Sequence, residues 1–193
     1  MVHFILPYVV HFSFPLTDTL IGNFEKVVNT PWASSLSGME KIWFLVYDPA
    51  DQRKIDFRLS DFEIATIKAG KKWKMISMKS CFPNWMYNHD YREEYFKSPL
   101  DIADSLQSSF VPYATEFLKK RLAEIDHDKE TLIAIRDVSS LFGFMRISEL
   151  LNNCANDFKG HLLIFFPGEF ENSQYRLLNA RDGWNYLARP ITI

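Results

Sequence analysis

Little in this sequence breaks or staples a chain. Seven glycines and nine prolines among 193 residues exclude a collagen-like or low-complexity architecture. The two cysteines, Cys81 and Cys154, match no metal-ligand spacing and are too few for a disulfide framework. They are expected as reduced thiols in the core. Charge of one sign is lacking too. Lysine and arginine number 22 against 24 acids, a net charge of −2, so no global field draws the chain to DNA or an anionic membrane. The one long apolar stretch, residues 1–16 (MVHFILPYVVHFSFPL), is interrupted by His3, Pro7, His11 and Pro15 and is too short to span a bilayer. The first cation is Lys26, so the basic leader of a signal peptide is missing. Residues 1–16 are therefore expected as an apolar extension tucked against one α/β domain over 17–193, with a cytoplasmic location and no membrane contact.

The usual catalytic signatures are absent as well. There is no G-x-x-x-x-G-K-[ST], G-x-G-x-x-G or G-x-S-x-G. His3, His11, His89, His127 and His161 form no H-E-x-x-H or other zinc spacing. The expectation is a protein without a metal or cofactor and without catalysis of its own.

What is present is apolar bulk: 47% hydrophobic residues and 16% aromatic ones, 17 of them phenylalanine. Leu20, Ile21, Phe24, Val27 and Val28 follow the helical stripe and predict a helix over 17–29. The runs at 41–48 (KIWFLVYD), 131–137 (TLIAIRD) and 162–166 (LLIFF) read as strands covered on both faces. A polar loop is expected at 48–54. A capping box at Ser60–Glu63 then opens a helix ending near Gly70, and an alternating strand occupies 73–80. Residues 81–99 resist assignment. Residues 101–125 read as a helix kinked or divided at Pro112, and Ile147, Leu150, Leu151 and Cys154 mark another. Residues 175–178 and 184–191 are expected to pair through an Asp182–Gly183 turn. This alternation predicts a mostly parallel, Rossmann-like sheet flanked by helices, with an antiparallel C-terminal edge.

Four sets of candidate functional residues follow. Asp48, Asp137, Gly168 and Glu169 come after predicted strands and should lie at the carboxyl rim of the sheet. Carboxylates there could hold a divalent cation for a hydrolase or nuclease, although loop acids more often cap helices and turns. The tract 81–96 (CFPNWMYNHDYREEYF) offers Trp85, Tyr91, Tyr95 and Phe96 as partner anchors or as packing. Its cations, Arg92 and Lys97, could help rings stack on bases, but Asp90, Glu93 and Glu94 oppose a phosphate backbone. The tail 175–186 (YRLLNARDGWNY) adds Arg176, Arg181, Asp182, Trp184 and Tyr186 as interface anchors or internal salt bridges. A nucleic-acid-binding alternative uses Lys71, Lys72, Lys74 and Lys79 beside Trp73.

The strings KIWFLVYDP (41–49), FEIATIKAGKKW (62–73), SLFGFMRISELL (140–151) and LLIFFPGEFENSQYRLLNARDGWNYLARPI (162–191) resemble the BrxB family of bacteriophage-exclusion (BREX) systems. The resemblance runs from about Phe24 to the C-terminus. It is most specific in FFPGE (165–169) and YRLLNARDGWNY (175–186), while residues 1–16 depart from it. It implies a small non-catalytic adaptor or scaffold subunit, with a PglZ-family protein as the main partner. The AAA+ ATPase and the methyltransferase of such systems are further partners it implies, and direct DNA contact stays open. No catalytic residues carry over.

Overall fold

A computed structural model of the chain describes residues 15–33, 35–36, 38–178, 180 and 188–193. Helix α1 (Pro15–Val28) buries the expected stripe of Leu20, Ile21, Phe24, Val27 and Val28. Its end is closed by Asn29, whose amide donates to the Glu25 carbonyl at 2.7 Å. Strand β1 (Ile42–Tyr47) follows a short 3₁₀ turn and is buried at every position.

Residues 48–54 are not a loop. Asp48 caps a 3₁₀ turn, Pro49–Asp51, which runs into α2 (Gln52–Phe57). The capping box expected at Ser60 does not form. The next helix, α3 (Leu59–Lys68), starts one residue after Arg58, so Ser60 already lies inside it. Arg58 is the joint, pairing with Asp61 of α3 and with Asp18 of α1. The helix stops as expected at Gly70, whose φ of +74° suits a residue without a Cβ.

Strand β2 (Lys72–Ser77) leads into the tract that periodicity could not assign. It holds two short helices, α4 (Cys81–Tyr87) and α5 (Arg92–Lys97). The predicted long helix is divided. A 3₁₀ turn at Pro99–Ile102, the single turn α6 (Ala103–Ser105) and a π-helical turn at Leu106–Phe110 precede α7 (Val111–Glu124). Pro112 sits in the first turn of α7, where its missing N–H costs nothing. Strand β3 (Thr131–Arg136), helix α8 (Ile147–Asn153), and strands β4 (His161–Glu171), β5 (Gln174–Leu177) and β6 (Arg189–Ile191) complete the described chain.

The sheet is α/β and mostly parallel, in the order β2-β3-β4-β1-β6, with β5 antiparallel to β4. Strand β5 pairs with the far end of β4, which makes the antiparallel C-terminal edge, and β6 pairs parallel with β1. The Asp182–Gly183 turn, and residues 1–14 of the apolar start, lie outside the described residues.

Continuous apolar runs are needed because both faces are covered. Ile42, Phe44 and Val46 of β1, with Ile133, Ile135, Leu162, Ile164 and Phe166, meet α4, α7 and α8. Trp43, Leu45 and Tyr47, with Leu132, Ala134, Leu163 and Phe165, meet α1 and α3. The connection from β1 to β2 runs across the sheet, and the chain returns through β3 and β4. Right-handed crossovers in opposite directions put their helices on opposite faces, which gives these two layers.

Candidate functional site

The strand order reverses at β1 and β4, and a parallel sheet of this kind opens a crevice outside the carboxyl ends of such strands. A cavity of about 430 Å³ lies there, lined by Asp48, Pro49, Gly168, Glu169 and Leu178. The structure thus brings together Asp48, Gly168 and Glu169 as the sequence suggested, but not Asp137. Asp48 is occupied locally, since its Oδ1 accepts the Ala50 N–H at 2.8 Å. Glu169 faces Arg176 of β5 at 4.0 Å.

Asp137 belongs to a separate chain of polar contacts along the same edge. Tyr47 donates its hydroxyl to Gln52 Oε1 at 2.7 Å, and Gln52 Nε2 donates to Asp56 Oδ1 at 3.1 Å. Arg136 bridges Asp56 at 3.0 Å and Asp137 at 3.1 Å, and Ser77 Oγ donates to the same Asp137 oxygen, Oδ2. Burial and the Asp56 carboxylate push the Tyr47 phenol upward, so it stays a donor. The chain ties the ends of β1, α2, β3 and β2 together. Among the described residues, no three His, Cys, Asp or Glu side chains gather to hold a metal ion. The rim acids do the local work of caps and ties.

Asp137 also carries the left-handed backbone, with φ 62° and ψ 27°. Aspartate tolerates that region better than most residues. Asp137→Ala removes its hydrogen bonds and keeps the strain, so a loss of about 2–3 kcal/mol is expected in urea unfolding. Asp137→Gly relieves the backbone and should lose about 1 kcal/mol less. Equal losses would show that the left-handed conformation carries no strain.

The aromatic tract sorts into two faces. Of the two roles open to Trp85, the structure places it in packing: it is 4% exposed, and its Nε1–H donates to Ser109 Oγ at 3.1 Å. It is core, because the short helix α4 is pressed on α7 and Phe110 stacks edge-on against the indole at 5.3 Å. Tyr95 is half-buried, its hydroxyl 2.6 Å from Ser105 Oγ. By contrast Tyr91 is 66% exposed and Phe96 67%, and two residues that sequence did not single out, Tyr87 at 73% and Leu100 at 87%, join them. Tyr87 carries a usable signal, since it follows the buried Trp85 and Met86 and the helical turn swings it outward. Arg92 fixes the turn between the two helices, donating to the Tyr87 carbonyl at 2.8 Å with its guanidinium 5.6 Å from the Tyr87 ring.

In the tail, Arg176 is partly exposed beside Glu169. Arg181, Asp182, Trp184 and Tyr186 lie outside the described residues. Cys81 and Cys154 are both buried and free, and burial pushes each thiol up to about 12, so neither is a ready nucleophile.

One buried titratable group escaped sequence reading. His161, at the start of β4, is 4% exposed and lies between Trp32 and Trp43, with ring centroids 4.2 and 4.7 Å away. Among the described residues its Nδ1 has no hydrogen-bond partner. Burial pushes it down to about 4, with the Lys41 and Lys71 cations adding to the effect. The unfolded chain binds this proton near pH 6.5, so the stabilisation is complete above that pH and is lost as pH falls towards 4. Between pH 7.5 and 4.5 the native chain should lose about 2–3 kcal/mol more than a His161→Phe variant, as read by urea unfolding at each pH. Parallel losses would place the acid sensitivity elsewhere.

Among the described residues, no helix is long and apolar enough to cross a membrane. A family model described as BREX protein BrxB matches residues 78–190 of the 193. The match therefore starts just past β2 and takes in the aromatic tract, the rim glycine and the tail. No curated protein and no solved structure matches the chain.

Proposed function

The chain belongs to the BrxB family and so is a component of a BREX system, and from that premise we propose that it is a non-catalytic adaptor whose partner is the PglZ-family protein of the same system. The docking surface is the excursion between β2 and β3, residues 87–100. One observation carries the reading: Tyr87, Tyr91, Phe96 and Leu100 are all at least 66% exposed within fourteen residues. Large apolar side chains grouped on one exposed segment are the usual mark of a partner surface. The buried Trp85 and the half-buried Tyr95 hold that segment from beneath. Residues 87–105 also carry five acids (Asp90, Glu93, Glu94, Asp101, Asp104) against Arg92 and Lys97. The matching surface is therefore apolar with a basic rim.

Co-expression with that PglZ-family protein, followed by size-exclusion chromatography at micromolar concentration, tests the reading. The two are expected to elute together, as a standard-sized interface holds at that concentration. Separate elution would contradict it.

A further inference from the structure

Strand β2 ends the sheet, and its register with β3 leaves half of its backbone polar groups unused. Lys72 N–H donates to the Glu130 carbonyl at 2.9 Å, and Met78 N–H donates to the Arg136 carbonyl at 3.0 Å. In a parallel ladder such bonds fall on alternate residues. The N–H and C=O groups of Trp73, Met75 and Ser77 therefore point away from β3, and no strand among the described residues meets them. Most of β2 is exposed, with Ile76 its one buried residue. Met75 shares the sheet face of Trp73, the face that α3 covers, and α3 itself leaves Ile64 and Ile67 exposed.

Charge selects what can pair there. Residues 62–79 hold five lysines against one acid, Glu63. Lys71 and Lys72 are taken up by Glu130 and Asp128. Lys68, Lys74 and Lys79 have no ion-pair partner among the described residues. A second copy pairing antiparallel through β2 would set this lysine-bearing strand against itself, and like charges across a strand pair repel. A nucleic acid would find three free lysines and would make no use of the open backbone groups.

We propose that the free edge of β2 is a second docking site, one that takes an extended, acidic strand of a partner protein. Backbone bonds to Trp73, Met75 and Ser77 supply the pairing, Met75 supplies apolar contact, and Lys74 and Lys79 supply the preference for carboxylates. The site is independent of the excursion at 87–100.

The test follows backbone amide exchange of the full chain by NMR with a blocked octapeptide of alternating glutamate and valine at millimolar concentration. Exchange at Trp73, Met75 and Ser77 should slow at least fivefold. The same peptide with lysine for glutamate should leave it unchanged. Met75→Pro removes one outward N–H while sparing the bonds to β3, and a proline of that kind is tolerated on an edge strand. It should abolish the slowing. If that variant does not fold, Lys74→Glu with Lys79→Glu, both exposed positions, should abolish it instead. No slowing with the acidic peptide would overturn the proposal, as would equal slowing by both peptides. Slowing by a DNA or RNA oligonucleotide that falls steeply with salt and survives Met75→Pro would replace it with a nucleic-acid surface.

Discussion

Gly168→Ala is expected to destabilise the protein by about 3 kcal/mol or more, or to free β5 from β4. An added Cβ would stand 2.0 Å from the Arg176 carbonyl oxygen and 3.1 Å from the Phe166 ring. The first of these is backbone, held by the antiparallel register of Gly168 with Leu177, and cannot swing aside. Urea unfolding reads the loss. Gly22→Ala is the matched control, because α1 leaves nothing within 4 Å of an added Cβ there. It should raise stability by about 0.5–1 kcal/mol through helix propensity. Unchanged unfolding of Gly168→Ala would mean that β5 is not packed as described. The glycine of FFPGE is thus a packing requirement where β4 passes from parallel to antiparallel pairing, and Pro167, lacking an N–H, stands at the same transition with its carbonyl accepting from Leu178 at 2.8 Å.

The second large effect concerns association. Tyr91→Glu with Phe96→Glu should weaken binding of the PglZ-family partner at least about 100-fold, since central aromatic anchors each contribute about 2 kcal/mol or more. Both side chains are mostly exposed, so unfolding should shift by less than about 1 kcal/mol. Trp85→Ala behaves oppositely: it empties a buried site and should cost about 3–5 kcal/mol of stability. Titration by calorimetry, alongside urea unfolding, separates the two. Full-strength binding by the double variant would remove the excursion from the interface.

The parts of the fold legible in the sequence were those with one dominant signal. Strands β1, β3 and β4 announce themselves because burial on both faces demands unbroken apolar runs, and α1 because one buried stripe repeats at the helical period. Pairing partners are a different matter. Nothing in the alternation at 175–178 says whether it meets β4 or a following strand, and the described pairing is with the far end of β4. The tract at 81–99 defeated periodicity because its helices span seven and six residues, too short for the stripe to repeat. For the same reason its aromatics were visible as a group, but their two faces were not, and Trp85 and Tyr91 looked alike. At the carboxyl rim, Asp48 and Glu169 each follow a predicted strand and line the same cavity. Spacing could not place Asp137, which side-chain bonds to Arg136 and Ser77 hold in a different set of contacts.

Hydrogen–deuterium exchange of the chain, alone and mixed with the PglZ-family protein of its own system, tests the adaptor reading most directly. Protection is expected across residues 87–102, with the rim around Asp48 and Glu169 unchanged. Protection at that rim with the aromatic excursion still exchanging freely would contradict the account.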